Sequence, residues 1–117
     1  MRLFVYGTLM SGFGNNRLLT GASLLNEEYK LNAFKMKSFG FFPVITPDNA
    51  SSVLGEMWDI NDNHLERCDR LEGHPNFYTR IKLEDDDGMF YTYMQPISKL
   101  TQLPDVTSGN WRQHRYG

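Results

Sequence analysis

Two short stretches, far apart in the chain, carry residue types that chemistry can use. The later one is Glu72, followed by Gly73. Leu65, Cys68 and Glu72 stand at i, i+3 and i+7, on one stripe of a helix, with Asp69 and Leu71 beside it. Leu65 and Cys68 belong in a core, so the same stripe carries Glu72 inward. The residue also falls in the last helical turn, where the partial negative charge of the helix disfavours a carboxylate. Burial and the helix terminus both push its pKa upward. A carboxyl group tuned toward neutrality suits general acid and base work. The competing role is structural: Glu72 bends out to solvent, or pairs with Arg70 or Arg80.

The earlier stretch is Tyr6-Gly7-Thr8-Leu9. An apolar run, Leu3 to Val5, stops there, and a polar segment with Gly12 and Gly14 follows. Read as a buried strand ending at a glycine, the segment turns sharply. The turn leaves the N–H groups of Thr8 and Leu9 free to face a ligand. A simple turn with no ligand fits the same residues.

Other chemistries fit less well. Glu56 shares a strand face with Leu54 and Trp58 and also points inward, where a structural pair is its natural role. Two inward carboxylates are the minimum for glycoside hydrolysis, but no sugar-binding groove is evident in a chain of 117 residues. The chain has no Gly-x-Ser-x-Gly elbow. Cys68, the single cysteine, lies on the apolar helix stripe and fills core space. Asp85, Asp86 and Asp87 lack the spacing of a calcium loop and read as a solvated hairpin tip. Three scattered histidines and one cysteine give no zinc spacing, so no metal site is expected.

Several elements must hold these residues. Residues 2 to 6 read as a buried strand, and Asn16 to Leu19 as the start of a short helical turn. Glu28 to Ala33 alternates as a half-buried strand. Phe39 to Asn49 mixes rings with glycine and proline and reads as an irregular loop entering a short edge strand. Asp48 to Ser52 reads as a turn, and Val53 to Ile60 as a strand. Asn61, Asp62 and Asn63 are good capping residues, with capping-box spacing from Asn63 to Glu66. The helix then runs from about residue 62 to 72 and stops at Gly73, with Pro75 beyond. Phe77 to Glu84 and Met89 to Gln95 form a hairpin. Trp111 anchors the tail, and Arg112, His114 and Arg115 read as a solvated end. The sum is one α+β domain, residues 1–117, with a mostly antiparallel sheet and one clear helix.

Composition narrows the function. A net charge of −2 argues against a nucleic-acid partner. No apolar run approaches the roughly 18 residues of a membrane span, and the N-terminus has no signal-peptide core. A lone cysteine suits a reducing compartment. The expectation is a soluble protein of the cytoplasm.

Three motifs then resemble the γ-glutamylcyclotransferase-like family. These are Val5-Tyr6-Gly7-Thr8-Leu9 with its glycine-rich, asparagine-containing loop; Gly55-Glu56-Met57-Trp58; and Asp69-Arg70-Leu71-Glu72-Gly73 followed by Tyr78 and Arg80. The closing Ser108-Gly109-Asn110-Trp111 is similar to the γ-glutamylamine cyclotransferase branch and its bacterial relatives. The resemblance runs over nearly the whole chain. It implies a small, barrel-like mixed sheet with a few short helices around it. It also implies a cavity between the first strand's loop and the helix end. In that family the loop's backbone N–H groups hold a γ-glutamyl group, a role that falls here on Gly7, Thr8 and Leu9, with Tyr6 at the pocket wall. The catalytic acid matches Glu72. The reaction implied is cyclisation of a small γ-glutamyl substrate to 5-oxoproline with release of an amine, and it requires no cofactor. Tyr78 and Tyr91, on the hairpin, are candidates to offer the substrate a hydroxyl, with core packing as the competing role. Two alternatives stay open: a binding module that keeps the pocket without turnover, and an enzyme that removes a γ-glutamyl protecting group from a larger product. The Phe39 to Pro47 segment is either a pocket wall or a core plug.

Overall fold

The computed structural model describes residues 1–116. Its first strand, β1 (Arg2–Val5), is buried along nearly its whole length and lies at the centre of a six-stranded sheet. The others are β2 (Ser23–Ser38), β3 (Pro43–Asp59), β4 (Thr79–Asp85), β5 (Gly88–Met94) and β6 (Asp105–Val106). Their order across the sheet is β4-β5-β1-β3-β2-β6. Only the β1–β5 pairing is parallel; every other neighbour is antiparallel. The mixed, mostly antiparallel α+β class agrees with the sequence reading.

Strands β2 and β3 are longer than their patterns suggest. Half of β2 faces solvent on both sides, which erases the alternation that marks a strand. The turn from Phe39 to Phe42 replaces the longer loop expected there, and β3 continues through Pro47 to Asp59. Pro47 is tolerated because the ladder is interrupted beside it: Asn32 pairs with Ser52, yet Phe34 pairs with Pro47. The residues between Pro47 and Ser52 therefore bulge outward opposite Ala33, whose φ of 67° marks the irregularity. The expected turn at Asp48 to Ser52 is this bulge. Beyond it, the Gln95 N–H donates to the Ile45 carbonyl at 3.1 Å, so the first half of β3 curls back toward the end of β5. That curl makes the sheet barrel-like and leaves a hollow at one end.

Helix α1 (Asp62–Glu72) has the expected bounds and is capped by the first of the three expected residues, with the box closing on His64 rather than between Asn63 and Glu66. Asn61 is the N-cap: its side chain accepts the His64 N–H at 3.0 Å, and His64 Nδ1 accepts the Asn61 N–H at 3.1 Å. With Nδ1 accepting, the proton sits on Nε2, which reaches the Thr20 carbonyl at 2.8 Å. That bond fixes the helix against the end of a short 3-10 helix (Gly14–Leu19). The other end closes at Gly73, with φ of 66°. There the N–H groups of Gly73 and His74 return to the carbonyls of Arg70 and Asp69.

The C-terminal end is solvated from residue 112 to 116, as expected, but it is helical and anchored by Trp111. Residues 111 to 116 form α2 (Trp111–Tyr116), with Trp111 fully buried. Arg112 donates to the Ser11 carbonyl at 2.7 Å and lies 3.4 Å from Glu56 Oε2. Glu56 is buried, and its Oε1 also accepts the Ser11 N–H at 2.8 Å and the Trp58 indole at 3.1 Å. The carboxylate of Glu56 thus fastens the loop after β1, the structural role its position suggested. Among the described residues, no helix is long and apolar enough to cross a membrane.

Candidate active site

The hollow end of the sheet is a cavity of about 370 Å³. One wall comes from the end of β1 and its loop, the opposite one from the end of α1, and the hairpin β4–β5 closes the side. The sequence candidates Tyr6, Gly7, Thr8, Leu9, Glu72 and Tyr78 all line it.

Gly7 is required for a reason different from the one expected. Its φ is not in the left-handed region; instead a Cβ there would meet the Pro43 ring at 2.7 Å. The loop and the start of β3 therefore touch through a bare backbone. A turn follows, in which the Met10 N–H donates to the Gly7 carbonyl at 3.0 Å. Two asparagines brace it: Asn15 donates to Thr8 Oγ1 and Asn16 to the Leu9 carbonyl, both at 2.9 Å. Among the described residues, the N–H groups of Thr8 and Leu9 have no acceptor in the protein. They remain donors for a guest.

Glu72 is half-buried at the facing wall. Burial raises its carboxyl to about 7. Neither competing arginine reaches it, because Arg80 pairs with Asp69 and Arg70 with Glu66. Among the described residues it is the one charged side chain lining the cavity. It also stands close enough to three tyrosine hydroxyls to act on them. Tyr6, Tyr78 and Tyr93 are held protonated by burial first, with the Glu72 charge adding to the effect. Burial likewise pushes the Cys68 thiol up to about 12, so it is no nucleophile.

The tyrosines have fixed hydrogen bonds. Tyr6 donates its hydroxyl to the Tyr93 carbonyl at 2.7 Å, and Tyr78 to the Pro43 carbonyl at 2.6 Å. The Tyr78 oxygen is left as an acceptor, whereas that of Tyr6 also meets the Ile45 backbone N–H. Tyr93 donates to Asp69 Oδ1 at 2.6 Å.

Tyr91 is the candidate that the structure moves out of the site. Arg80 covers its ring at 4.9 Å, and Lys82 lies 5.8 Å from its centre. Tyr93 lines the cavity where Tyr91 was expected. The two share one face of β5, so alternation cannot choose between them; the pairing of Arg80 with Tyr93 and of Lys82 with Tyr91 decides. Sequence reasoning also missed Asn15, whose role depends on the loop folding back. The Phe39 to Pro47 segment proves to be a wall: Phe41, Phe42 and Pro43 line the cavity, joined by Leu71 and Phe77.

Comparison with known proteins identifies the family of the chain. Residues 3–113 match the family model described as "Gamma-glutamyl cyclotransferase, AIG2-like". The gamma-glutamylcyclotransferase family protein ytfP of Citrobacter rodentium is 34% identical over 113 residues, covering 95% of each chain. The gamma-L-glutamyl-butirosin B gamma-glutamyl cyclotransferase of Niallia circulans is 26% identical, over 97% of this chain and 76% of its own. The solution structure of ytfP from Escherichia coli superposes with a TM-score of 0.75 at 29% identity, over 98% of this chain and 99% of that one. The chain therefore belongs to the gamma-glutamyl cyclotransferase, AIG2-like family.

Proposed function

We propose that the protein cyclises γ-glutamyl amines or γ-glutamyl peptides, releasing 5-oxoproline and a free amine. One observation carries this reading. A carboxyl group raised to about 7 shares a cavity with two unpartnered backbone N–H groups on a braced loop. The loop is the gripping half of the site, with donors suited to glutamyl oxygens and to the oxyanion that forms at the γ-carbonyl. Glu72 is the reacting half. It removes a proton from the α-ammonium, and the freed amine attacks the γ-carbonyl of the same molecule. A C–N bond forms and the amide C–N bond breaks. The protonated Glu72 hands its proton to the leaving nitrogen, then takes the second proton from the ring nitrogen and passes it on in turn. The amine thus departs as an ammonium ion, and Glu72 is again a carboxylate. Holding the glutamyl chain folded supplies a proximity advantage of at most roughly 7–11 kcal/mol. Tyr78 donates its hydroxyl to the Pro43 carbonyl, which leaves its oxygen as an acceptor suited to an ammonium group. The name of the Niallia circulans relative, a gamma-glutamyl cyclotransferase of gamma-L-glutamyl-butirosin B, supports a γ-glutamyl substrate.

The test is direct. Purified protein is incubated with a panel of γ-glutamyl amines and peptides, and 5-oxoproline is measured. Appearance of 5-oxoproline and amine in equal amounts supports the reading. Binding without product would make the protein a γ-glutamyl-binding module instead.

A further inference from the structure

We infer that Arg112, on the C-terminal helix and outside the cavity, is a positioning residue that sets the gripping loop from behind. The inference rests on the cyclotransferase reading of the site. Arg112 is not among the residues that line the cavity. Its target is Ser11, which stands two residues beyond Leu9. The Ser11 N–H donates to Glu56 Oε1 at 2.8 Å, and the Ser11 carbonyl accepts from Arg112 Nη2 at 2.7 Å. Both backbone groups of one residue are thus held by charged partners, and bonds of that kind are about twice as strong as neutral ones. The partners also face each other, with Arg112 Nη2 3.4 Å from Glu56 Oε2. Glu56 is buried, so the guanidinium compensates a carboxylate that has left water.

The loop needs such a hold. Gly12 follows Ser11 with φ of 88°, and among the described residues a Cβ at Gly12 or Gly14 would meet nothing within 4 Å. Packing therefore does not stiffen the backbone there, and glycine leaves it free to turn. Asn15 and Asn16 brace Thr8 and Leu9, but they stand beyond those same glycines in the chain. Arg112 adds a second contact by covering the Phe13 ring at 5.6 Å, which Tyr116 also meets at 5.7 Å. The helix that carries Arg112 is fixed independently of it. Trp111 is fully buried, and the Leu54 N–H donates to the Gly109 carbonyl at 2.8 Å. The Arg112 side chain itself is half exposed, so shortening it opens no core cavity.

The experiment compares wild type, Arg112→Ala and Arg112→Lys by KM and kcat for 5-oxoproline release, well below the melting transition. The substrate is the member of the γ-glutamyl panel above that the wild type turns over best. Arg112→Ala should raise KM roughly fivefold or more while keeping the circular dichroism of the wild type. Arg112→Lys, which retains a cationic donor for the Ser11 carbonyl, should return KM to within about twofold of the wild type. A merely structural role would not move KM, because lost folded protein lowers kcat alone. An unchanged KM in Arg112→Ala, or a KM raised as much by Arg112→Lys, would overturn the positioning role and leave the cyclotransferase reading standing. Absence of 5-oxoproline from the whole panel with the wild type would overturn both.

Discussion

Tyr78 holds Glu72 by its backbone and Pro43 by its side chain. Its N–H donates to the Glu72 carbonyl at 3.1 Å, and its hydroxyl donates to the Pro43 carbonyl at 2.6 Å. Pro43 in turn lies against Gly7. One tyrosine thus spans from the backbone of Glu72 to the strand that packs on the loop after β1, and the separation of the two cavity walls depends on it.

Replacing Glu72 by Gln keeps the size of the side chain and removes its proton chemistry. Turnover should fall by about 10²–10⁴-fold. Circular dichroism and KM should change little, which separates lost chemistry from lost folding. Unaltered turnover would remove Glu72 from the mechanism.

The pH dependence of the rate follows from the carboxyl raised to about 7. The base form is needed first, so kcat/KM should climb as pH rises through that value. A rate already at its plateau at pH 5 would mean that Glu72 is not the base being titrated.

Stability should run the opposite way. The folded pKa of Glu72 lies above its ordinary value of 4.5, so its protonated form favours the fold. The contribution is full below about 4.5 and is lost as pH rises through about 7. Its size is at most roughly 3 kcal/mol. Urea unfolding of wild type and Glu72→Gln, at pH 5 and pH 8.5, reads this: the variant should gain relative stability at the higher pH.

Gly7→Ala places a methyl group against the Pro43 ring. Overpacking of this kind costs about 1–3 kcal/mol, and the loop must shift away from β3. The variant should lose stability in urea and also raise KM, since the Thr8 and Leu9 N–H groups move with it. A normal KM would show that those donors do not contact substrate.

Tyr78→Phe removes the donor to the buried side of the Pro43 carbonyl, for about 1–3 kcal/mol of stability. Because the bond also spaces the cavity walls, kcat/KM should drop beyond what the unfolded fraction explains. Enzyme assays well below the melting transition make that distinction.

Much of this site was legible because its strongest signals are local. The stop of α1 at Gly73 and the inward stripe through Leu65, Cys68 and Glu72 follow from helix geometry over a few residues. Chain-distant relations were not legible. Asn61 rather than Asn63 caps the helix because His64 can also reach Thr20, a partner on another segment. Tyr93 rather than Tyr91 enters the cavity because hairpin register, not alternation, sets how far along β5 the site lies. The long β2–β3 pair was hidden because solvent on both faces removes the hydrophobic pattern. Gly7 was recognised as necessary, but the neighbour that makes it so, Pro43, could be identified only in three dimensions.

The place of β1 in the sheet also governs how the molecule can form. The strand made first in synthesis is the one whose two partners, β3 and β5, come later, and the β5 pairing of Arg2 with Phe90 spans most of the chain. Such distant pairing delays folding until the loop between them closes. The apolar run Leu3 to Val5 pairs on one edge with β3, and its other edge stays open until the final hairpin emerges. A fragment ending at Glu72 would keep the loop and the acid but lack Phe77, Tyr78 and Tyr93, which line the cavity. The cavity is therefore complete only when the last hairpin has joined the sheet.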